Sequence, residues 1–325
     1  MKALRVHELG EPEQVLRLEE IEVPEPGVRE VRLRVHGASL NFPDVLMCRG
    51  EYQVKPALPF TPGAEVAGVV DAVGAEVTGI DIGTRVLGLP SRGGFAEFTT
   101  CADRAVFPIP DAMPFDAASA LHIVYQTGWL ALHQRAALQP GETLLVHAGA
   151  GGVGSAAIQL GRAAGAHVIA TAGGSEKVEV CKRLGADLAI DYRKHDFVDA
   201  VKQATGGRGA DVIYDPVGGD TYDRSTKCVA FEGRILIIGF TSGRFAEART
   251  NHVLIKNYSV VGVHWGLYGV MLPELAAQNH VELMRLYETG AIDPLISERI
   301  DLAEVPAALA RLGSRGTYGK VVCEL

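Results

Sequence analysis

The sequence predicts an α/β protein, a doubly wound parallel sheet of six strands joined to a second, mainly-β unit. Three observations carry that expectation. The glycine run Gly149-Ala150-Gly151-Gly152-Val153-Gly154 sits between an apolar strand-like segment and a helix of small residues. After it, strand-like and helix-like segments alternate as far as residue 263. Before it, residues 1 to about 110 hold only short β-patterned runs separated by turn clusters.

In that first stretch the strand candidates are Ala3–His7, Val15–Val23, Val31–Ser39, Glu65–Val73, Thr84–Leu89 and Phe95–Ala102. Valine-rich runs favour pleated backbone, and Pro24-Glu25-Pro26-Gly27 and Thr61-Pro62-Gly63 break them as turns. Many short strands of this kind suggest a small barrel. A helical period follows from Asp116 to Ala136. Next come strand 143–147, helix 153–164, strand 167–171, helix 176–184, strand 188–192 and helix 196–204. Strand 211–215, helix 220–230, strand 234–239 and strand 258–263 complete the alternation, which implies helices on both faces of a parallel sheet. Leu267–Gly290 returns to helix, and residues 295–322 mix both signals. Having no place in the sheet, this tail is assigned to the first unit. The expected division is residues 1–120, with 267–325 returning to them, and residues 121–266.

Composition narrows the function classes. With 325 residues, 47% hydrophobic and 22% charged, the chain has the make-up of a soluble globular protein of two domains. A net charge of −8 argues against a nucleic acid or a membrane surface as partner. No apolar stretch reaches spanning length, and the N-terminus alternates like a strand, which points to the cytoplasm. The five cysteines, at 48, 101, 181, 228 and 323, are scattered, odd in number and without a C-x-x-C pair, so no disulfide framework is expected.

Gly149, Gly151 and Gly154 satisfy G-x-G-x-x-G between two strands, the setting in which a pyrophosphate approaches a helix N-terminus. Unpaired N–H groups and the helix dipole favour negative charge there. Where an NAD site places a carboxylate at the end of the second strand, this chain has Thr171, Ala172, Gly173 and Gly174. Ser175 and Lys177 follow in the first helical turn, against the dipole. A 2′-phosphate explains that lysine and favours NADP(H); the alternative is an ordinary solvated lysine.

The chain resembles the medium-chain dehydrogenase/reductase superfamily, and within it the zinc-independent quinone oxidoreductases. The resemblance runs over Asn41-Phe42-Pro43-Asp44, Gly50-Glu51-Tyr52, residues 62–68, residues 94–98, residues 139–142, the glycine run, residues 215–219 and Gly319-Lys320-Val321-Val322. It implies a Rossmann sheet plus a GroES-like domain. In zinc-dependent relatives a cysteine stands at position 41 and a histidine at 64; Asn41 and Ala64 stand here. Of that set only Glu65 survives, and one carboxylate does not hold Zn²⁺, so no metal is expected.

Without a Lewis acid the acceptor must carry its own electron sink. A small hydrophobic quinone fits, and so does an activated alkene such as an enone or an acryloyl-like enoyl thioester. The resemblance implies Asn41 and Tyr52 over the nicotinamide, with Tyr52 as proton donor; the alternative for Tyr52 is a packed loop ring. It also implies Thr127 beside the nicotinamide, and Tyr192 and Arg315 near the adenosine phosphate. Gly151, Gly152, Val153, Gly154, Gly173, Ser175 and Lys177 line the expected cofactor path from the first strand ends. Val217, Gly239, Phe240 and Val263 close later strands and are candidates for the nicotinamide slot. The leading expectation is an NADPH:quinone oxidoreductase, with an alkene reductase second. A third, from another class, is an NADPH-binding structural or RNA-binding protein of the crystallin type. The apolar run 258–263, at a sheet edge, predicts a homodimer.

Overall fold

The computed structural model describes residues 1–325, which form two compact units: residues 1–123 with 294–325, and residues 124–293. In the first unit β1 (Lys2–Val6) pairs antiparallel with β2 (Leu16–Glu20). The expected strand 15–23 is shorter, because Pro12 opens a helical turn through Val15 and the chain from 21 to 29 has no regular structure around Pro24 and Pro26. There follow β3 (Glu30–Ser39), β4 (Val66–Val73), β5 (Arg85–Gly88), β6 (Phe98–Ala102) and β7 (Val106–Pro108). β6 begins three residues later than expected, since Phe95 and Ala96 instead bridge to β1 through Leu4 N–H and Ala3.

β3 shows why this part reads as β. Val31, Leu33 and Val35 are buried on one face while Arg32 and Arg34 point to the other, the period of two that a half-buried strand requires. With Leu4, Val6, Val66, Val70, Val86 and Phe95 they form the core of this unit.

The second unit carries β8 (Thr143–Val146), β9 (His167–Ala172), β10 (Leu188–Asp191), β11 (Ala210–Asp215), β12 (Val229–Ile237) and β13 (Ser259–Gly262). All neighbours are parallel, in the order β10-β9-β8-β11-β12-β13. The order reverses between β8 and β11, so the carboxyl ends of those strands open a crevice. Buried Leu144, Leu145, Val168, Ile169, Ile213 and Ile235 make the strands apolar on both faces, as helices on both sides demand.

Three details differ from the expected pattern. The helix expected from 116 to 136 is three pieces, 115–119, 122–129 and a π-helix at Leu130–Arg135, where Ala136 N–H donates to Ala131 O at 2.9 Å. The helix expected over 220–230 ends at Ser225, and β12 starts at Val229 with a register shift against β11. The segment after residue 267, expected in the first unit, belongs to the second as far as Asp293. Side-chain amides hold it there: Gln126 Nε2 donates to Ala276 O (2.8 Å), and Gln159 both donates to Asp293 O (2.9 Å) and accepts its N–H (2.6 Å).

The return to the first unit begins at Pro294. It supplies β14 (Ile296–Asp301), helix 305–313 and β15 (Lys320–Glu324), which extend the larger sheet to the order β14-β15-β3-β4-β5-β7, with β6 on β3. No helix of the chain is long and apolar enough to cross a membrane.

Candidate active site

β8 ends at Val146, and the chain turns through Ala148 (φ 50°) into the helix Gly152–Ala163. A Cβ on Gly154 would lie 2.2 Å from Ala148 O, so the third glycine of the motif is required for the turn to close against the helix. The N–H groups of Gly152, Val153 and Gly154 belong to the first helical turn, which has no intrahelical acceptors for them. That is a cradle for phosphate oxygens. His147, beside it, is not a ligand. Its Nδ1 lies 3.0 Å from Thr171 Oγ1 and its Nε2 2.8 Å from Ser225 Oγ, and burial holds its pKa down to about 4.

β9 ends at Ala172 without a carboxylate, as the sequence indicated. Gly174 (φ 96°) starts the helix Ser175–Arg183, which carries Ser175 and Lys177 in its first turn. Tyr192 follows β10 and is 50% exposed, with its N–H on Ala172 O at 3.2 Å. Burial, and then the charge of Arg193, hold the Lys177 pKa below the ordinary lysine value. The two strand ends therefore meet at a tip that carries Lys177 and Arg193, with Asp191 at the end of β10 bonded to the Gly174 N–H at 3.0 Å.

Farther along, Asp215 Oδ1 accepts N–H groups from Val217 (2.8 Å) and Gly218 (2.9 Å). Thr241 and Ser242 N–H donate to Pro216 O and Val217 O, joining that turn to the one that holds Gly239 and Phe240. Val263 N–H donates to Ile237 O at the end of β12. Gly151, Gly152, Val153, Gly154, Gly173, Ser175, Lys177, Tyr192, Val217, Gly239, Phe240 and Val263 thus all lie at the carboxyl ends of one sheet, and Thr127 lies in helix 122–129 of the same unit. Asn41, Tyr52 and Arg315 belong to the other unit.

In that other unit a buried polar cluster surrounds Asn41. Lys320 Nζ donates to Leu40 O (3.0 Å), Asn41 Oδ1 (2.7 Å) and Glu65 Oε1 (2.9 Å), which uses all three of its protons. Glu65 also accepts Ser39 Oγ (2.5 Å), Asn41 Nδ2 (3.0 Å) and Ile123 N–H (2.8 Å). The second Asn41 amide proton goes to Ser39 O at 3.2 Å. Both Asn41 amide protons and its Oδ1 are thus bonded within this cluster. The carboxylate that survives from the zinc ligand region is neutralised by an ammonium of the same chain, and no three His, Cys, Asp or Glu side chains converge as metal ligands do.

Asn41 begins the helix Phe42–Arg49, whose Asp44 accepts the N–H groups of Asn41 (2.8 Å) and Gly63 (3.0 Å). Burial pushes the Asp44 carboxyl up to about 7, with those two N–H bonds and Lys320 acting the other way. Gly50, in the left-handed region, ends the helix and leads to Tyr52, which is half-buried. Its phenol is raised by burial and then by Asp44. Lys320, Asp44 and Arg193 were not assigned roles from the sequence. The signal for Lys320 is its place directly before the apolar run Val321-Val322-Cys323, since a lysine buried in a strand needs a partner.

Sequence similarity covers both units. Residues 152–278 match the zinc-binding dehydrogenase family, and residues 27–111 match the alcohol dehydrogenase GroES-like domain. A quinone oxidoreductase-like protein 2 homolog of Nematostella vectensis is 38% identical over 99% of this chain and 88% of its own. The chain belongs to the zinc-independent quinone oxidoreductase family. That family lies in the medium-chain dehydrogenase/reductase superfamily, with its Rossmann sheet and GroES-like domain. Among solved members, the Escherichia coli quinone oxidoreductase complexed with NADPH is 29% identical, covers both chains fully and superposes with a TM-score of 0.92. The CurK enoyl reductase is also 29% identical, with a TM-score of 0.89 over 99% of this chain and 98% of its own.

Proposed function

We propose that the protein is an NADPH-dependent oxidoreductase that reduces a small hydrophobic quinone without a metal ion. The observation that carries this reading is the pair Lys320–Glu65. The carboxylate that stands in the zinc ligand region is bonded to an internal ammonium, a serine, an amide and a backbone N–H. An unactivated ketone would find no Lewis acid in such an arrangement, whereas a quinone delocalises the incoming charge itself.

The turn around Gly154, the first-turn amides and the absence of a carboxylate at the end of β9 suit a dinucleotide whose adenosine carries a further phosphate. Gly151 to Gly154 would hold the pyrophosphate, with Gly173 and Ser175 flanking the ribose. Lys177, Tyr192 and Arg315 would take the 2′-phosphate. Thr127, Val217, Gly239, Phe240, Val263 and the Asn41 region would enclose the nicotinamide, with Asn41 as a positioning residue. Bound NADPH supplies a hydride. Tyr52 would donate a proton or a hydrogen bond to the oxygen that gains charge, a task its neutral phenol suits at pH 7.

A second reading, an NADPH-dependent enone or enoyl-thioester reductase, is favoured by the likeness to CurK and by Tyr52. We also propose a twofold dimer through β13, an edge strand whose Val260 is 36% exposed, and a place in the cytoplasm, where five free thiols persist. Light scattering that reports a monomer at micromolar concentration would remove the dimer.

The deciding experiment follows NADPH oxidation with a quinone, an enone and crotonyl thioester, for the native protein and Tyr52→Phe. Quinone turnover supports the first reading. Alkene turnover alone, lost in Tyr52→Phe with NADPH affinity intact, replaces it by the second. NADPH binding without turnover of any acceptor leaves the non-catalytic role.

A further inference from the structure

Arg193 follows Tyr192 at the end of β10, and its side chain is exposed. Its backbone is pinned. Asp191 Oδ1 accepts the Arg193 N–H at 3.1 Å and the Gly174 N–H at 3.0 Å, so one buried carboxylate ties the β10 end to the tip that follows β9. The side chain lies across that tip. A Cβ on Gly173 would fall 2.6 Å from the Tyr192 hydroxyl and 3.0 Å from Arg193 Nε, and one on Gly174 would fall 3.6 Å from Arg193 Nη1. Gly173 is what lets the phenol and the guanidinium come so close to the backbone.

No carboxylate forms an ion pair with this guanidinium; Asp191, whose carboxyl the Gly174 N–H and then the Arg193 charge help hold low, is bonded to backbone N–H groups. Elsewhere in the same unit Arg224 is paired with Asp196, Arg234 with Glu142, and Arg244 with Asp220 and Asp223. The charge of Arg193 instead opposes that of Lys177, after burial the second reason its ammonium titrates low. Lys177 and Arg193 bring two positive charges to one tip, where Asp191 is engaged by backbone N–H groups, and a dianion would stabilise that pair of cations more than a neutral ribose does.

We propose that Arg193 is a specificity-determining residue that, together with Lys177 and Tyr192, binds the phosphomonoester on the adenosine 2′-oxygen. This rests on the NADPH reading above and adds a residue that decides the preference over NADH. The guanidinium offers two parallel N–H donors to phosphate oxygens, a geometry that a lysine lacks.

The test is equilibrium binding to the full chain, without an acceptor. Dissociation constants are measured for NADPH, NADH, adenosine 2′,5′-bisphosphate and 5′-AMP with the native protein, Arg193→Gln and the neighbouring charge control Lys194→Gln. Arg193→Gln should weaken NADPH and the bisphosphate about 10- to 100-fold, the range of one charge-assisted contact, and leave NADH and 5′-AMP within about twofold. Lys194→Gln should leave all four unchanged. Equal weakening of NADPH and NADH, or an unchanged preference in Arg193→Gln, overturns the inference while the NADPH reading stands. A native protein that holds NADPH no tighter than NADH overturns both.

Discussion

Lys320 Nζ lies 2.9 Å from Glu65 Oε1, with side-chain exposures of 4% and 1%. The pair joins the start of β15 to the residue before β4, and its hydrogen bonds reach the end of β3 through Ser39 and Leu40. Burying two charges is costly, and breaking such a pair by removing one partner leaves the other uncompensated. Lys320→Met should therefore lower stability by about 3–5 kcal/mol in urea unfolding. Combining it with Glu65→Gln should cost less than the two single changes added together. Additive losses would mean that the two side chains do not interact.

Asp44 gives a pH dependence of opposite sign to that of most carboxylates. Its native carboxyl titrates at about 7, against about 4 in an unfolded chain. The folded state thus keeps a proton that the unfolded state has released. Its stabilising contribution is complete below pH ~4 and is lost as pH rises towards 7. The fall in unfolding midpoint between pH 5 and pH 8 should be smaller in Asp44→Asn than in the native protein. An equal fall in both would show Asp44 ionised throughout.

His147 acts in the other direction. With its pKa held down to about 4, it stays neutral in the fold where an unfolded histidine takes a proton near 6.5. Stability from this group is full above pH ~6.5 and is lost as pH falls through 4, by about 3 kcal/mol. His147→Gln should be less stable than native at pH 8, since Thr171 and Ser225 lose a partner, yet show a shallower acid decline. Parallel acid declines in differential scanning would assign the decline to other groups.

The glycines of the nucleotide turn should separate folding from binding. Gly154→Ala would place a Cβ 2.2 Å from Ala148 O, a backbone atom that cannot give way, so both thermal midpoint and NADPH affinity should fall. At Gly151 the nearest atom to a Cβ is 3.2 Å away and φ is −78°, which any residue adopts. Gly151→Ala should keep its stability within ~1 kcal/mol and still lose NADPH affinity, because the pyrophosphate is proposed to approach there. A Gly151→Ala protein with native affinity would place the pyrophosphate elsewhere.

Much of this molecule is legible in local pattern. The six parallel strands were expected within a few residues of where they lie, because buried parallel strands are short apolar runs between glycine-rich turns and helices. Errors fell where pattern is ambiguous. The π-helix after Trp129 continues a helical period, and the β12 start at Val229 is hidden by the bulge opposite Ala210. The helix 273–288 is amphipathic wherever it packs, so its period could not say that Gln126 and Gln159 hold it and its flank to the second unit.

Glycine spacing, the missing acid after β9 and the exchange of zinc ligands for Asn41 and Ala64 are facts of chain order, and they pointed to a nucleotide, its phosphate and a metal-free reaction. Which side chains serve each other was decided only in three dimensions. Lys320 meets Glu65 across 255 positions, and it donates to the Asn41 side-chain oxygen as well. Arg193 reaches Gly173 because β10 lies beside β9. Hydrogen bonds and charge act over a few ångströms of space, and separation along the chain carries no measure of that distance.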